Sequence, residues 1–96
     1  MQLNDVIRRL RTHRAELEQL GVRSLAVFGS VAREEAGEGS DVDLLVEFSR
    51  PIGFFGFFDV KDRLEQILET RVDLVTRDAV KPALRERILR EAIDAA

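Results

Sequence analysis

The chain has 96 residues with 15 Lys or Arg against 18 Asp or Glu, a net charge of −3 and a pI near 5.2; 45% hydrophobic residues exclude disorder, and no run nears the ~20 apolar residues of a membrane span. So short a chain buries only somewhat over ~60% of its unfolded surface, so one soluble domain over residues 1–96 is expected, completed by a partner as a hetero-oligomer or homodimer. The lack of cysteine excludes disulfides, thiolate zinc sites and cysteine nucleophiles, and the single His13 excludes a multi-histidine metal site.

Apolar Val6, Ile7, Leu10, Leu17 and Leu20 recur at helical spacing, with Asn4 or Asp5 to cap the start and Gly21 to end it, which predicts one N-terminal helix. Its early arginines are followed by no apolar run of ~7–15 residues, so it is not read as a secretory signal and a cytoplasmic protein is expected. His13 falls beside the apolar stripe and reads as a boundary residue. Ser24 to Phe28 is a short apolar segment with the look of a buried strand, ended by Gly29 and Ser30. Val31 to Glu35 can form a helical turn or two before a loop marked by Gly37, Gly39 and Ser40. From Asp41 to Phe48, Val42, Leu44, Val46 and Phe48 alternate with Asp41, Asp43, Leu45 and Glu47, the period of a strand.

After a connector with Pro51 and Gly53, a helix is predicted from about Phe54 to Glu69, with Phe57, Val60, Leu64, Ile67 and Leu68 on its buried stripe. Phe55 then lies nearly opposite that stripe and Phe58 on its flank. Either the helix starts later and Phe55 tucks under the Pro51 loop, or the two form an exposed patch for a partner or a second copy. Arg71 to Thr76 reads as a third strand, with Val72 and Leu74 on one side and Asp73 on the other. A last helix, capped near Asp78 with Pro82 in its first turn, carries Leu84, Ile88, Leu89 and Ile93 on its apolar face. The arginines Arg77, Arg85, Arg87 and Arg90 read as a solvated face with Glu86–Arg90 and Arg87–Glu91 pairs, not as an RNA surface. The acidic balance also argues against direct nucleic-acid binding. The fold class is α+β, a small mixed sheet covered by helices, expected on one face because so few helices are available.

Three features carry chemistry: the Gly29-Ser30 turn leaving a strand, the pair Asp41 and Asp43, and Asp73 on the third strand. Each alone has a bland reading as a turn or capping residue. Together, residues i and i+2 of a strand share a face about 6.5–7 Å apart, close enough to converge on metals ~3.5–4 Å apart. Hard carboxylate oxygens without sulfur or imidazole point to magnesium or manganese. Gly29 lets a phosphate approach the backbone, and Ser30 offers a hydroxyl and an N–H. Such a turn beside such carboxylates suits a magnesium-nucleotide.

Gly29-Ser30, ten residues, then Asp41-Val42-Asp43 with Leu44-Leu45-Val46, and later Arg71-Val72-Asp73-Leu74-Val75, resemble the minimal nucleotidyltransferases of the polymerase-β-like superfamily. These are the antitoxins found beside HEPN-domain ribonuclease toxins. The resemblance covers essentially the whole chain. It implies the polymerase-β-like nucleotidyltransferase fold and transfer of AMP from ATP to a hydroxyl, that of a tyrosine on a HEPN-type toxin. It further implies that Asp41 and Asp43 ligate both of two magnesium ions and Asp73 the catalytic one. Ser30 would hold the outer phosphates, with Gly29, Arg33 and Ser40 as further nucleotide-binding residues. Where the family commonly reads Ala-Arg-Gly, this chain has Ala32-Arg33-Glu34, an acidic side chain near the phosphate turn. That feature keeps open a second reading, an antitoxin that neutralises its partner by occlusion. A third, transfer to a small molecule such as an aminoglycoside, wants an additional helical domain, which a partner would have to supply.

Overall fold

The computed structural model describes residues 1–37, 39 and 41–96. At the N-terminus Val6, Leu10 and Leu17 are fully buried as their spacing predicts, but on two helices, α1 (Leu3–Thr12) and α2 (Arg14–Gln19), where one was expected. The break is local chemistry. Thr12 Oγ1 donates to the Arg8 carbonyl and His13 Nδ1 to the Arg9 carbonyl, both at 2.9 Å, so side chains take acceptors that a continuing ladder would use. His13 is half-buried at this joint, the boundary residue expected. Neither Asn4 nor Asp5 caps α1, which is preceded by Gln2; Asp5 lies inside the first turn, where a negative charge suits the helix dipole.

Four strands form a mixed sheet in the order β3-β2-β1-β4: β1 (Val22–Phe28), β2 (Val42–Phe48), β3 (Val72–Thr76) and β4 (Ile93–Asp94). β1 is antiparallel to both β2 and β4, while β2 and β3 are parallel and therefore need a crossover, supplied by α4 (Phe54–Leu68). Strand alternation sorts the side chains. Leu25, Val27, Val42, Leu44, Val46 and Val72 meet α1, α2 and α4 in the main core, with Leu10, Leu17, Leu64 and Leu68 opposite them. The other face carries Asp43 and a smaller cluster of Ala26, Leu45 and Val80 with Phe28, Val75 and Ile88 against it.

That second cluster corrects the expectation of helices on one face. α5 (Pro82–Glu91) lies on the Asp43 side of the sheet, since Ile88 packs there. It starts at Pro82 after Lys81; Asp78 sits instead in a 3₁₀ turn, Arg77–Ala79. Its apolar stripe is only partly used: Ile88 is half-buried, Leu84 and Leu89 are exposed, and Ile93 belongs to β4. The Glu86–Arg90 and Arg87–Glu91 pairs form as read, at 3.7 and 3.3 Å. No helix among the described residues is long and apolar enough to cross a membrane.

α4 begins at Phe54, so a later start does not hide the aromatic run. Phe54 is 72% exposed and Phe55 81%, while Phe57 turns inward to meet Phe48 edge-on. Gly56 is needed where it stands, because a Cβ there would overlap Ile52. With so little of its ring buried, Phe55→Asp is expected to change unfolding free energy by less than about 1 kcal/mol, whereas Leu64→Ala on the buried stripe should cost about 2–5 kcal/mol. Chemical denaturation of both variants checks the contrast.

Candidate functional site

The sheet's register gathers the candidate residues. Phe28, the last residue of β1, pairs with Asp43 across the antiparallel ladder, and Asp43 pairs with Asp73 across the parallel one. The chain then turns at Gly29 into α3 (Gly29–Ala32), so the start of the turn and two carboxylates occupy one rung of the sheet. Gly29 has φ +72, and a Cβ on it would overlap the Asp43 carboxylate. Both facts require glycine: the backbone angle disfavours L side chains, and the carboxylate packs directly against the turn.

Asp43 is half-buried, and Asp41 and Asp73 are exposed. Burial pushes the Asp43 carboxyl above the ordinary carboxylate range; the negative charges of Asp73 and Asp41 act in the same direction and Arg33 against them. Asp41 precedes β2, where the Val42 N–H donates to the Arg71 carbonyl at 3.0 Å, and its Oδ1 lies 3.7 Å from Arg71 Nε. Among the described residues no three Asp, Glu, His or Cys groups are drawn into a ligating arrangement. The donors available are nonetheless all carboxylates, brought together on neighbouring strands, and that donor set suits a hard divalent cation.

Ser30 is half-buried on α3 with its carbonyl accepting from Glu35 N–H at 2.8 Å, and its hydroxyl has no hydrogen-bond partner among the described residues. Arg33 is engaged elsewhere: it pairs with Glu35 and with Glu91 of α5, each at 3.1 Å. Ser40 lies outside the described residues. The Arg33–Glu91 contact is what sequence reasoning missed, since a pair 58 positions apart leaves no local signal. Glu34 has φ 59, the left-handed region that glycine adopts freely. Side chains there cost roughly 1–2 kcal/mol, part of which glycine returns as unfolded-chain entropy. Glu34→Gly is therefore expected to stabilise the protein by up to about 1 kcal/mol, read as a higher melting temperature.

Residues 7–95 match the family model described as a nucleotidyltransferase domain. The chain belongs to this nucleotidyltransferase family. It is 39% identical to the protein adenylyltransferase MntA of Thermococcus cleftensis over 94 residues, which are 97% of this chain and 95% of that protein. With a protein of Methanocaldococcus jannaschii described as an adenylyltransferase it shares 43% identity over 79 residues, 81% of this chain and 92% of the other. A solved structure described as that of a minimal nucleotidyltransferase is 41% identical and superposes with a TM-score of 0.82 over 97% of this chain and 95% of its own. The four-stranded mixed sheet flanked by helices is thus the polymerase-β-like nucleotidyltransferase fold. A toxin-antitoxin crystal structure with AMP-PNP shares that fold at 19% identity, with a TM-score of 0.70 over 100% of this chain and 73% of the other.

Proposed function

We propose that this nucleotidyltransferase transfers AMP from ATP to a hydroxyl, that of a tyrosine, on a HEPN-type toxin and so acts as its antitoxin. The observation that carries the reading is the rung joining Asp43 to Asp73 with Gly29 packed on the Asp43 carboxylate, in a chain 39% identical to a protein adenylyltransferase over nearly its whole length. The relatives of this fold that are crystallised as toxin-antitoxin assemblies suggest the class of acceptor. Asp41, Asp43 and Asp73 would hold magnesium. When bound, that metal neutralises charge on the attacking and leaving oxygens of an in-line displacement. The chain's own groups bind and orient. Gly29 leaves room for phosphate against the backbone, Ser30 donates its unengaged hydroxyl to a phosphate oxygen, and the exposed Asp73 takes the acceptor's proton as the hydroxyl attacks the α-phosphorus and pyrophosphate leaves.

One observation favours the occlusion reading as runner-up: Arg33 is held by Glu35 and Glu91 and not left for phosphate. Labelled ATP with the purified partner separates the readings, and calorimetry tests the nucleotide site. ATP is expected to bind in a magnesium-dependent manner, and Ser30→Ala to weaken it by roughly 1.5–3 kcal/mol, the value of a hydrogen bond to a charged group. Equal affinity with and without magnesium would remove the metal from the proposal.

A further inference from the structure

We infer that the groove beside Asp43, between β2 and α5, docks the acceptor, and that it takes an acidic protein segment whose one apolar side chain anchors close to the reacting hydroxyl. This rests on the transferase reading above. Leu45 follows Asp43 by two residues and so shares its face of β2, and it pairs with Val75 as Asp43 pairs with Asp73. The floor of the groove therefore begins two residues along β2, about 7 Å, from the paired carboxylates. It has a volume of about 190 Å³ and is lined by Leu45, Val80, Leu89, Arg77, Arg85 and Asp78.

Its floor and its rim differ in chemistry. Leu45 and Val80 are buried floor, while Leu89 is 43% exposed on a helix with no buried residue, an apolar side chain left without full cover. The size admits one apolar side chain and no folded element. On the rim, Arg85 has no ion pair among the described residues, and its Nη2 reaches only the Arg77 carbonyl, at 3.5 Å. Arg77 lies 3.8 Å from Glu47, a carboxylate it shares with Arg23 at 3.6 Å. Asp78 is the one carboxylate in the lining, so the groove is net positive in a chain of net charge −3. An apolar floor with a cationic rim, on the same sheet face as the carboxylates, fits an acidic peptide with an apolar anchor. A phosphodiester backbone would gain nothing from Leu45, Val80 and Leu89.

The test is methyl NMR of the intact protein titrated with the peptide Glu-Leu-Glu-Tyr-Glu, without nucleotide. Shifts are expected at the methyls of Leu45, Val80 and Leu89. Binding should weaken at least tenfold in Arg85→Glu, in Leu89→Asp, when lysine replaces the peptide's glutamates, and when serine replaces its leucine. Circular dichroism confirms that both variants fold, and their magnesium-ATP affinity should stay within twofold of wild type. No shift, or equal binding of the lysine peptide, overturns the inference. So does movement of the same methyls with magnesium-ATP alone, which would give the groove to the nucleotide. Movement on raising protein concentration would give it to a second copy, whose exposed Phe55 lies beside Asp59. If the peptide binds as expected but magnesium-ATP does not, the transferase reading fails and the groove stands.

Discussion

Replacing Asp43 by asparagine should lower AMP transfer by at least about a thousandfold, several kcal/mol of barrier, and leave the domain folded. Asparagine keeps the size of the side chain that packs on Gly29 and removes the charge that a metal would need. The assay is a mass increment on the order of 330 Da on a co-purifying partner in the presence of ATP and magnesium, compared between the two forms. The same substitution should raise the melting temperature of the metal-free protein at neutral pH. Because the folded state holds the Asp43 proton more tightly than the unfolded chain does, the ionised group opposes folding. That penalty is absent below the unfolded pKa, grows as pH rises towards the folded one, and is constant beyond it. The gain in Asp43→Asn should accordingly be present at pH 7 and vanish below about pH 4. A variant that labels as fast as wild type, or melts lower at neutral pH, contradicts the assignment.

Gly29→Ala is expected to be the more damaging change to the fold. A methyl group at φ +72 costs roughly 1–2 kcal/mol, and its overlap with the Asp43 carboxylate adds about 1–3 kcal/mol more. A loss of about 2–5 kcal/mol should lower the melting temperature by roughly 8–40 °C in a chain of this size, with activity lost as Asp43 is displaced. Adding Asp43→Ala should recover only part of the stability, because the Asp43 Cβ would still lie 3.3 Å from the new methyl and the backbone angle is unchanged. Gly37→Ala serves as the control, since a Cβ there meets nothing within 4 Å. Equal effects at the two glycines would mean that the turn does not press on the carboxylate.

What could be read beforehand followed from short periods. Alternation placed Asp43 on the opposite face of β2 from Val42 and Leu44, and the helical stripe Val60, Leu64, Ile67 and Leu68 is buried as spaced. The rung that joins Asp43 to Asp73 was not legible, because parallel register is set by how α4 crosses the sheet, a tertiary choice. Ile93 was misread for a related reason. It follows Leu89 at helical spacing, yet it pairs with Val27, and only the open edge of β1 decides between the two. The break at His13 depended on side-chain bonds to two carbonyls, which hydrophobic periodicity does not register. Arg33 was a phosphate candidate by sequence, and its engagement with Glu91 needed the folded α5 to be seen.

The strand β4 is two residues long, and its importance lies in what it hides. Ile93 and Asp94 pair with Val27 and Ala26, and the next two residues continue along β1: Ala95 N–H donates to the Leu25 carbonyl at 2.9 Å, and Leu25 N–H to the Ala96 carbonyl at 3.0 Å. Without them β1 would present an unpaired backbone flanked by apolar Leu25, Ala26 and Val27, a ready template for another chain's strand. The carboxylate rung lies across β2 and β3, on the far side of β1, and does not depend on this pairing. Residues 93–96 thus act as a guard against sheet-to-sheet aggregation, and losing them would remove the protein from solution before it altered the chemistry of Asp43.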